Sequence, residues 1–207
     1  MIIDFLSSIF SIASYKFLIN LGVKNIKIPS GEVTNLPLLK EIAKNKKLKI
    51  YLSTGMSNWN EIYDAVKILK NNNLCIFQCT SMYPCPPEHV GLNIIKDMKK
   101  KFNKKFKIGF SDHTIGNVAA ILALSNGATV FEKHFTFSNK MYGSDAKFAT
   151  EPTQFKNYCN SLMEANKILS TNVDKNKIKI FSNMRKVFQK SIYFSDNFTK
   201  GTKITFN

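Results

Sequence analysis

Residues 107–135 read KIGFSDHTIGNVAAILALSNGATVFEKHF, and this stretch carries the pattern that predicts the fold. A short apolar run at residues 107–110 is followed by a helical stretch at 117–126 and by a second apolar run at 129–132. Gly127 follows the helical stretch, where a residue of left-handed conformation commonly ends a helix. A strand, a helix and a second strand in this order predict a βα unit of a parallel sheet.

The same alternation of apolar runs and helical stretches extends along most of the chain. The predicted strands lie at residues 4–6, 25–28, 49–52, 74–78, 107–110 and 129–132. The predicted helices lie at residues 12–21, 36–43, 60–71, 92–102, 117–126 and 152–169. Repeated βα units predict an α/β protein with a parallel sheet. From residue 175 onward, alternating residues at 177–180 and 190–194 predict a small β-rich module.

The net charge of +16 invites a nucleic-acid or membrane-surface partner. Nearly all of this charge is lysine, however, and Arg185 is the only arginine. Arginine is the side chain best suited to bidentate base contacts, and the aromatic residues are not interleaved with the lysine runs. We therefore expect no nucleic-acid partner. Because no segment is long and apolar enough, we also expect no membrane span.

The cysteines and the N-terminal sequence predict a cytoplasmic protein. The cysteines lack the paired C-x-x-C spacing of a structural zinc site, so we expect reduced, mostly buried thiols. They are Cys75, Cys79, Cys85 and Cys159. Residues 1–19 are apolar but contain an acidic residue near the start and no basic leader, so they do not resemble a signal peptide.

Two histidines, His113 and His134, each lie just beyond a predicted strand, and the two strands are neighbours. The carboxyl ends of parallel strands converge on one face, which brings both imidazoles within reach of a single divalent ion. The spacing alone leaves open whether they are metal ligands or hydrogen-bonded rim residues. Asp112 and Glu132 precede them, either to hold the imidazoles in place or as ordinary rim carboxylates.

The same rim carries donors that suit a phosphate or carboxylate anion. They are Lys27, Ser30, Ser53, Ser81 and Ser111, with the backbone amides of Gly31 and Gly55. Each serine taken alone is more typical of a turn or a helix cap. Lys27 lies inside a predicted strand, where an unpaired ammonium is costly unless it faces the mouth of a barrel. Glu32 and Asp145 are carboxylates able to transfer protons or bind sugar hydroxyls, and Tyr83 adds a hydroxyl and an apolar face.

Several runs of sequence carry a family resemblance. They are KIPSGE at 27–32 with NLPLL at 35–39, LSTGM at 52–56, QCTSMYP at 78–84, GFSDHTIG at 109–116 and GATVFEKHF at 127–135. In order and spacing they resemble the sialic acid synthase family, which includes the N-acetylneuraminate, legionaminate and pseudaminate synthases. The resemblance covers roughly residues 5–165.

The resemblance implies a (β/α)8 TIM barrel that condenses phosphoenolpyruvate with an N-acetylmannosamine-type sugar to give a sialic acid, with C–O cleavage and release of phosphate. It implies a divalent metal, Mn or Mg, as cofactor, with His113 and His134 as catalytic metal ligands. The positions that hold phosphoenolpyruvate match Lys27, Ser30, Ser53, Ser81 and Ser111, with Ser8 at the hydroxyl position of the first strand. Glu32, also implied as catalytic, matches a sugar contact, as do Tyr83 and Asp145.

The resemblance further implies a barrel without its first two βα units, because the strand at residues 5–8 corresponds to the family's third. Residues 1–172 are then a partial catalytic barrel, and residues 173–207 are a linker and the beginning of a β-rich antifreeze-like (SAF) domain. The implied protein partner is a second copy in a homodimer or a complementing N-terminal fragment. Two hypotheses stay open: an N-acetylneuraminate-type synthase, or an inactive fragment or split-gene product that needs a complementing chain.

Overall fold

A computed structural model describes residues 3–102, 105–194 and 196–203. The chain divides into two compact units, residues 1–170 and residues 171–207. In the first unit, strands and helices alternate as β1 (Leu6–Ser8), α1 (Ile12–Asn20), β2 (Asn25–Ile28), α2 (Leu36–Ala43), β3 (Lys49–Ser53), α3 (Trp59–Leu69), β4 (Asn73–Cys79), α4 (Leu92–Lys101), β5 (Lys107–Asp112), α5 (Val118–Ser125), β6 (Val130–Lys133) and α6 (Pro152–Ser170). Among the helices in the described residues, none has the length and apolar character needed to cross a membrane.

The six strands form one parallel sheet in the order β1-β2-β3-β4-β5-β6. The sheet is curled, as shown by the ion pair between the Lys27 ammonium of β2 and the Glu132 carboxylate of β6, two strands with three others between them. We call the inner side of this curl the concave face. The curled parallel sheet confirms the α/β, barrel-type part of the prediction, whereas the two further βα units ahead of β1 stay a prediction.

Polar side chains at the helix starts explain why the helices begin where they do. Ser11 and Ser14 form a reciprocal capping box at the start of α1. The Asn35 side chain accepts a hydrogen bond from a backbone amide in the first turn of α2. At α3, Asn58 accepts from two backbone amides while the Glu61 carboxylate accepts from the Asn58 amide at 2.8 Å. Each cap satisfies amide donors that the helix itself leaves unpaired.

Alternate residues of β2 to β5 pack against the helices and form the core. The strand residues are Ile26, Ile28, Ile50, Leu52, Ile76, Ile108 and Phe110, which are at most 3% exposed. The helices contribute Leu38, Leu39, Ile42, Ala65, Leu69, Ile95 and Met98 to the same cluster. Successive residues of a strand point to opposite faces, so the residues between these apolar ones face the concave side of the sheet. That side carries the polar groups of the candidate site.

The second unit differs from the sequence-based expectation. Residues 177–180, predicted as an alternating strand, fall on a 3-10 helix at Ile178–Phe181, which leads into helix α7 (Ser182–Phe188). The apolar residues Phe181, Met184 and Phe188 recur at intervals of three and four, which is the period of a helix. Residues 190–194 carry neither helix nor strand. The strand prediction at 177–180 was therefore wrong, and the antifreeze-like assignment of this segment stays a prediction.

Gly109 of β5 tests how tightly the concave face is packed. Its register partner is Phe77 of β4, and a Cβ at position 109 would lie 2.6 Å from Cε1 of that ring. We expect Gly109→Ala to lower the free energy of unfolding by about 1–3 kcal/mol, because the buried ring has to move. Gly31→Ala is the control, since its Cβ would meet nothing nearer than a Met56 methyl at 3.8 Å. Urea unfolding measures both; equal stability of the two variants would contradict the packing argument.

Candidate functional site

Three aromatic rings meet at the carboxyl ends of β4, β5 and β6. The centroids of His113 and His134 lie 5.4 Å apart, and the Tyr83 ring lies 4.2 Å from the first imidazole and 5.5 Å from the second. Asp145 Oδ2 lies 3.5 Å from Nδ1 of His134. We call these four residues the histidine cleft. The structure thus brings together the two histidines that the sequence placed on neighbouring strands.

His113 is held in a defined tautomer. Its Nδ1 lies 2.6 Å from the carbonyl oxygen of Thr80, and because a carbonyl only accepts, Nδ1 carries the proton. Nε2 therefore keeps its lone pair, 3.3 Å from the Ser111 hydroxyl. Burial lowers the pKa of the His113 imidazole, and the hydrogen bond to Thr80 only partly opposes this. The ring is accordingly neutral at neutral pH, as a metal ligand or hydrogen-bond acceptor needs to be.

A second group of side chains meets around Gly55, just beyond β3. The Ser30 hydroxyl accepts a hydrogen bond from the Gly55 amide at 3.0 Å and lies 3.3 Å from the Cys79 sulfur. A Cβ at position 55 would lie 2.5 Å from the Ser81 hydroxyl and 2.7 Å from the Cys79 sulfur. We call Ser30, Gly55, Cys79 and Ser81 the serine cradle. Burial raises the pKa of the Cys79 thiol, so it is a neutral member of this set.

Two more of the predicted anion-binding serines are buried at strand ends. Ser53 ends β3 and Ser111 lies near the end of β5, and each is 2% exposed. The Ser53 hydroxyl is buried without a hydrogen-bond partner among the described residues. A buried hydroxyl in that condition is unusual and points to a partner outside the chain. Ser111 links the two groups, because it contacts His113 and pairs in register with Cys79 of the cradle.

Lys27 faces the concave side, as the sequence required of a lysine inside a strand. Its ammonium is paired with the Glu132 carboxylate, and the two side chains are 15% and 35% exposed. The second carboxylate oxygen of Glu132 is buried without a partner among the described residues. The charge of Lys27 is thus shared with a carboxylate rather than left free.

The carboxylates that precede the histidines do not hold the imidazoles. Asp112 forms a buried ion pair with Lys133, whereas Glu132 pairs with Lys27. The Thr80 carbonyl holds His113 instead. Sequence reasoning missed this contact because a backbone carbonyl has no sequence signal and lies 33 residues away.

Two predicted site residues lie apart from the histidine cleft. Ser8 is exposed at the end of β1, opposite Lys27 in the register. Glu32 lies on the 3-10 helix after β2, where its carboxylate accepts a hydrogen bond from the Asn35 amide at 2.7 Å. The residues that line the cleft are Tyr83, Asp112, His113, Thr114, Lys133, His134, Asp145 and Phe148.

The histidine cleft offers two ligands to a metal ion. Within the described residues, no group of three or more His, Cys, Asp or Glu side chains is arranged to hold one. Nε2 of the neutral His113 accepts only the 3.3 Å hydrogen bond from Ser111, which a divalent ion would displace, so the two facing imidazoles fit two positions in the coordination sphere of such an ion. The remaining positions would fall to substrate oxygens, water or groups outside the described residues.

The chain is similar to proteins of one family along most of its length. The NeuB family model matches residues 1–175. The N,N'-diacetyllegionaminic acid synthase of Campylobacter jejuni is 39% identical over 204 residues, which cover 96% of this chain and 60% of that protein. The N,N'-diacetyllegionaminic acid synthase of Legionella pneumophila is 35% identical over 213 residues, covering 98% and 58%. This chain therefore spans about 60% of the length of these curated relatives.

A solved structure gives the same indication. The N-acetylneuraminic acid (sialic acid) synthetase of Leptospira borgpetersenii, determined in complex with citrate, matches with a TM-score of 0.79 and 28% identity. The match covers 91% of this chain and 67% of that one.

The lowered pKa of His113 predicts a pH dependence of stability. The ordinary pKa of histidine is 6.5, so the unfolded chain takes up a proton at higher pH than folded His113 does. The contribution of His113 to stability is then constant well above pH 6.5, falls as the pH drops from 6.5 toward the lower folded pKa, and is constant again below that folded pKa. We expect wild type to lose more stability than His113→Gln between about pH 7.5 and about pH 5.5, measured by urea unfolding. An equal loss in both proteins, or an NMR titration of His113 at or above 6.5, would contradict this.

Proposed function

The chain belongs to the NeuB family, and from that premise we propose that it acts in nonulosonic acid synthesis by condensing phosphoenolpyruvate with an N-acetylmannosamine-type sugar. The observation that carries the proposal is the neutral His113, which faces His134 beside a cradle of hydroxyl groups. This arrangement suits one ligand with an anionic end and another with a carbonyl oxygen. In the proposed reaction, C3 of the enol forms a bond to the sugar aldehyde carbon, water adds to C2, and phosphate leaves with C–O cleavage.

The serine cradle is the proposed site of the phosphoenolpyruvate anion. The Ser30 oxygen accepts from the Gly55 amide, so its proton is directed either to the Cys79 sulfur, as in the structure, or to an incoming phosphate or carboxylate oxygen, which is the stronger acceptor. The Ser53 hydroxyl, without a partner among the described residues, supplies a second donor, and Ser81 supplies a third. Ser111 would join them by turning its proton from Nε2 of His113 to the anion. Lys27 adds positive charge, which an incoming anion would share with Glu132. Several oriented donors in a buried setting bind an anion more strongly than one exposed lysine does.

The sugar is proposed to lie against the histidine cleft. The Tyr83 ring packs on both imidazoles, and burial raises the pKa of its phenol, so the hydroxyl stays a donor at neutral pH. Asp145 is about half exposed and able to accept hydrogen bonds from sugar hydroxyls. Glu32 stays the predicted third contact, with Asn35 fixing the orientation of its carboxylate. These groups bind and orient the acceptor, and the two carboxylates are the candidates to move protons.

His113 and His134 are the residues that would hold a divalent ion, Mn²⁺ or Mg²⁺, which when bound would polarise the aldehyde oxygen. The Thr80 carbonyl supports this role because it fixes the proton on Nδ1 and directs Nε2 toward the cleft.

Titration calorimetry with Mn²⁺ and phosphoenolpyruvate tests the proposal. We expect the full chain to bind, and His113→Ala and His134→Ala each to abolish Mn²⁺ binding by removing one of two imidazole ligands. His89→Ala is the matched control, because the third histidine is exposed on the 3-10 helix Pro87–His89. The absence of binding by a chain shown to be folded, or an equal loss in the His89 variant, would refute the proposed site. Phosphate release with N-acetylmannosamine-type sugars then tests turnover.

Gly55→Ala tests the serine cradle separately from the histidines. The new methyl group would occupy the space between Ser81 and Cys79, so we expect phosphoenolpyruvate affinity to fall about tenfold or more through lost hydrogen bonds. The control is Gly31→Ala, which adds a methyl group to the same rim in ordinary van der Waals contact with Met56 at 3.8 Å. Calorimetric dissociation constants give the comparison, with thermal unfolding to show that both variants fold. Unchanged affinity in Gly55→Ala would remove the cradle from the anion site.

A further inference from the structure

A fully buried ion pair joins the ends of β5 and β6, and both of its residues also line the histidine cleft. The Lys133 ammonium donates to Asp112 Oδ2 at 3.0 Å, and the two side chains are 3% and 0% exposed. The two residues are direct partners in the strand register. The other carboxylate oxygen, Oδ1, accepts from the amide of Thr114 at 2.9 Å and from its hydroxyl at 2.7 Å. All the acceptor atoms of this carboxylate are therefore engaged.

Lys133 holds both residues that flank His113. Besides the Asp112 carboxylate, its ammonium donates to the backbone carbonyl of Thr114. One side chain thus bonds to the residue before His113 and to the residue after it. Lys133 is itself the residue before His134, so the same contacts connect the backbone positions of both histidines. The Tyr158 ring of α6 covers the ammonium, with its centroid 5.3 Å away.

Burying two charges is costly for stability alone. The attraction within a buried pair often fails to exceed the loss of hydration, and apolar residues of similar size commonly serve as well or better. Unlike apolar side chains, this pair forms directional bonds. These bonds fix the position of one strand end relative to the other. Imidazole positions on neighbouring strands depend on that register.

We propose that Asp112 and Lys133 are positioning residues that set the separation and orientation of the His113 and His134 rings. They act through the backbone, because each is the chain neighbour of one histidine and their side chains bond to each other and to Thr114. The inference rests on the proposed function only in taking the imidazoles as the ligand-facing groups. The positioning role itself concerns only the separation and orientation of the two imidazole rings.

The test compares Lys133→Met, Asp112→Asn and the double variant D112N/K133M. Lys133→Met leaves a buried carboxylate unpaired, and we expect Tm to fall by on the order of 10 °C. The double variant removes both charges and recovers most of that loss. Lys44→Met is the matched control, since it breaks the exposed pair with Glu41 and leaves Tm unchanged.

The deciding readout is the nuclear Overhauser effect between the imidazole protons of His113 and His134, observed in histidine-labelled protein. The T-shaped contact predicts this signal in wild type and in Lys44→Met. In the double variant we expect the signal to weaken or vanish although Tm has recovered, and Mn²⁺ affinity to drop about tenfold. A double variant that keeps the wild-type signal and affinity overturns the proposal. A double variant that fails to fold also overturns it, because the pair is then a folding requirement.

The ring signal separates this inference from the proposed function. If wild type shows the signal but binds neither Mn²⁺ nor phosphoenolpyruvate, the proposed function fails while the positioning role is still decided by the double variant. If wild type lacks the signal, the ring geometry itself is wrong and the positioning role falls with it.

Discussion

In each strand of the sheet, successive side chains point to opposite faces. When one residue packs against the helices, the next one therefore faces the concave side. Ile26 and Ile28 go to the core, which turns Lys27 inward to meet Glu132. At the end of β5 the same alternation sends Asp112 outward and His113 inward. The apolar packing that stabilises the fold and the polar rim that gives it chemistry are therefore set by one pattern. A shift of a single residue in any strand would exchange the two faces.

The electrostatics of the rim differ from those of the whole chain. The net charge is +16, yet the two lysines nearest the site are each paired with a carboxylate, Lys27 with Glu132 and Lys133 with Asp112. Around the cleft the donors are mainly hydroxyls and a backbone amide, and His113 is neutral. An anion held there would owe its affinity to oriented dipoles more than to an excess of positive charge.

The sequence predicted local elements well because apolar period and caps are local signals. Strand β2 and helix α2 have the predicted bounds. Strand β4 extends one residue beyond its predicted bounds at each end, and β5 ends two residues later than predicted, since polar residues such as Ser111 still join the ladder. The meeting of His113 and His134 followed from the rule that parallel strand ends converge. The Lys27–Glu132 pair joins residues 105 apart, and nothing in either local sequence reports it. At 177–180, four alternating residues were too short a run to distinguish a strand from a helical turn.

At Ser53, protein stability and the proposed anion binding place opposite demands on one buried hydroxyl. A buried hydroxyl without any hydrogen-bond partner costs about 1–3 kcal/mol of stability, and none of the described residues supplies a partner for this one. If the proposed anion site is correct, a ligand oxygen that accepts from Ser53 recovers that free energy on binding. A replacement of Ser53 that stabilises the fold would then weaken the proposed binding.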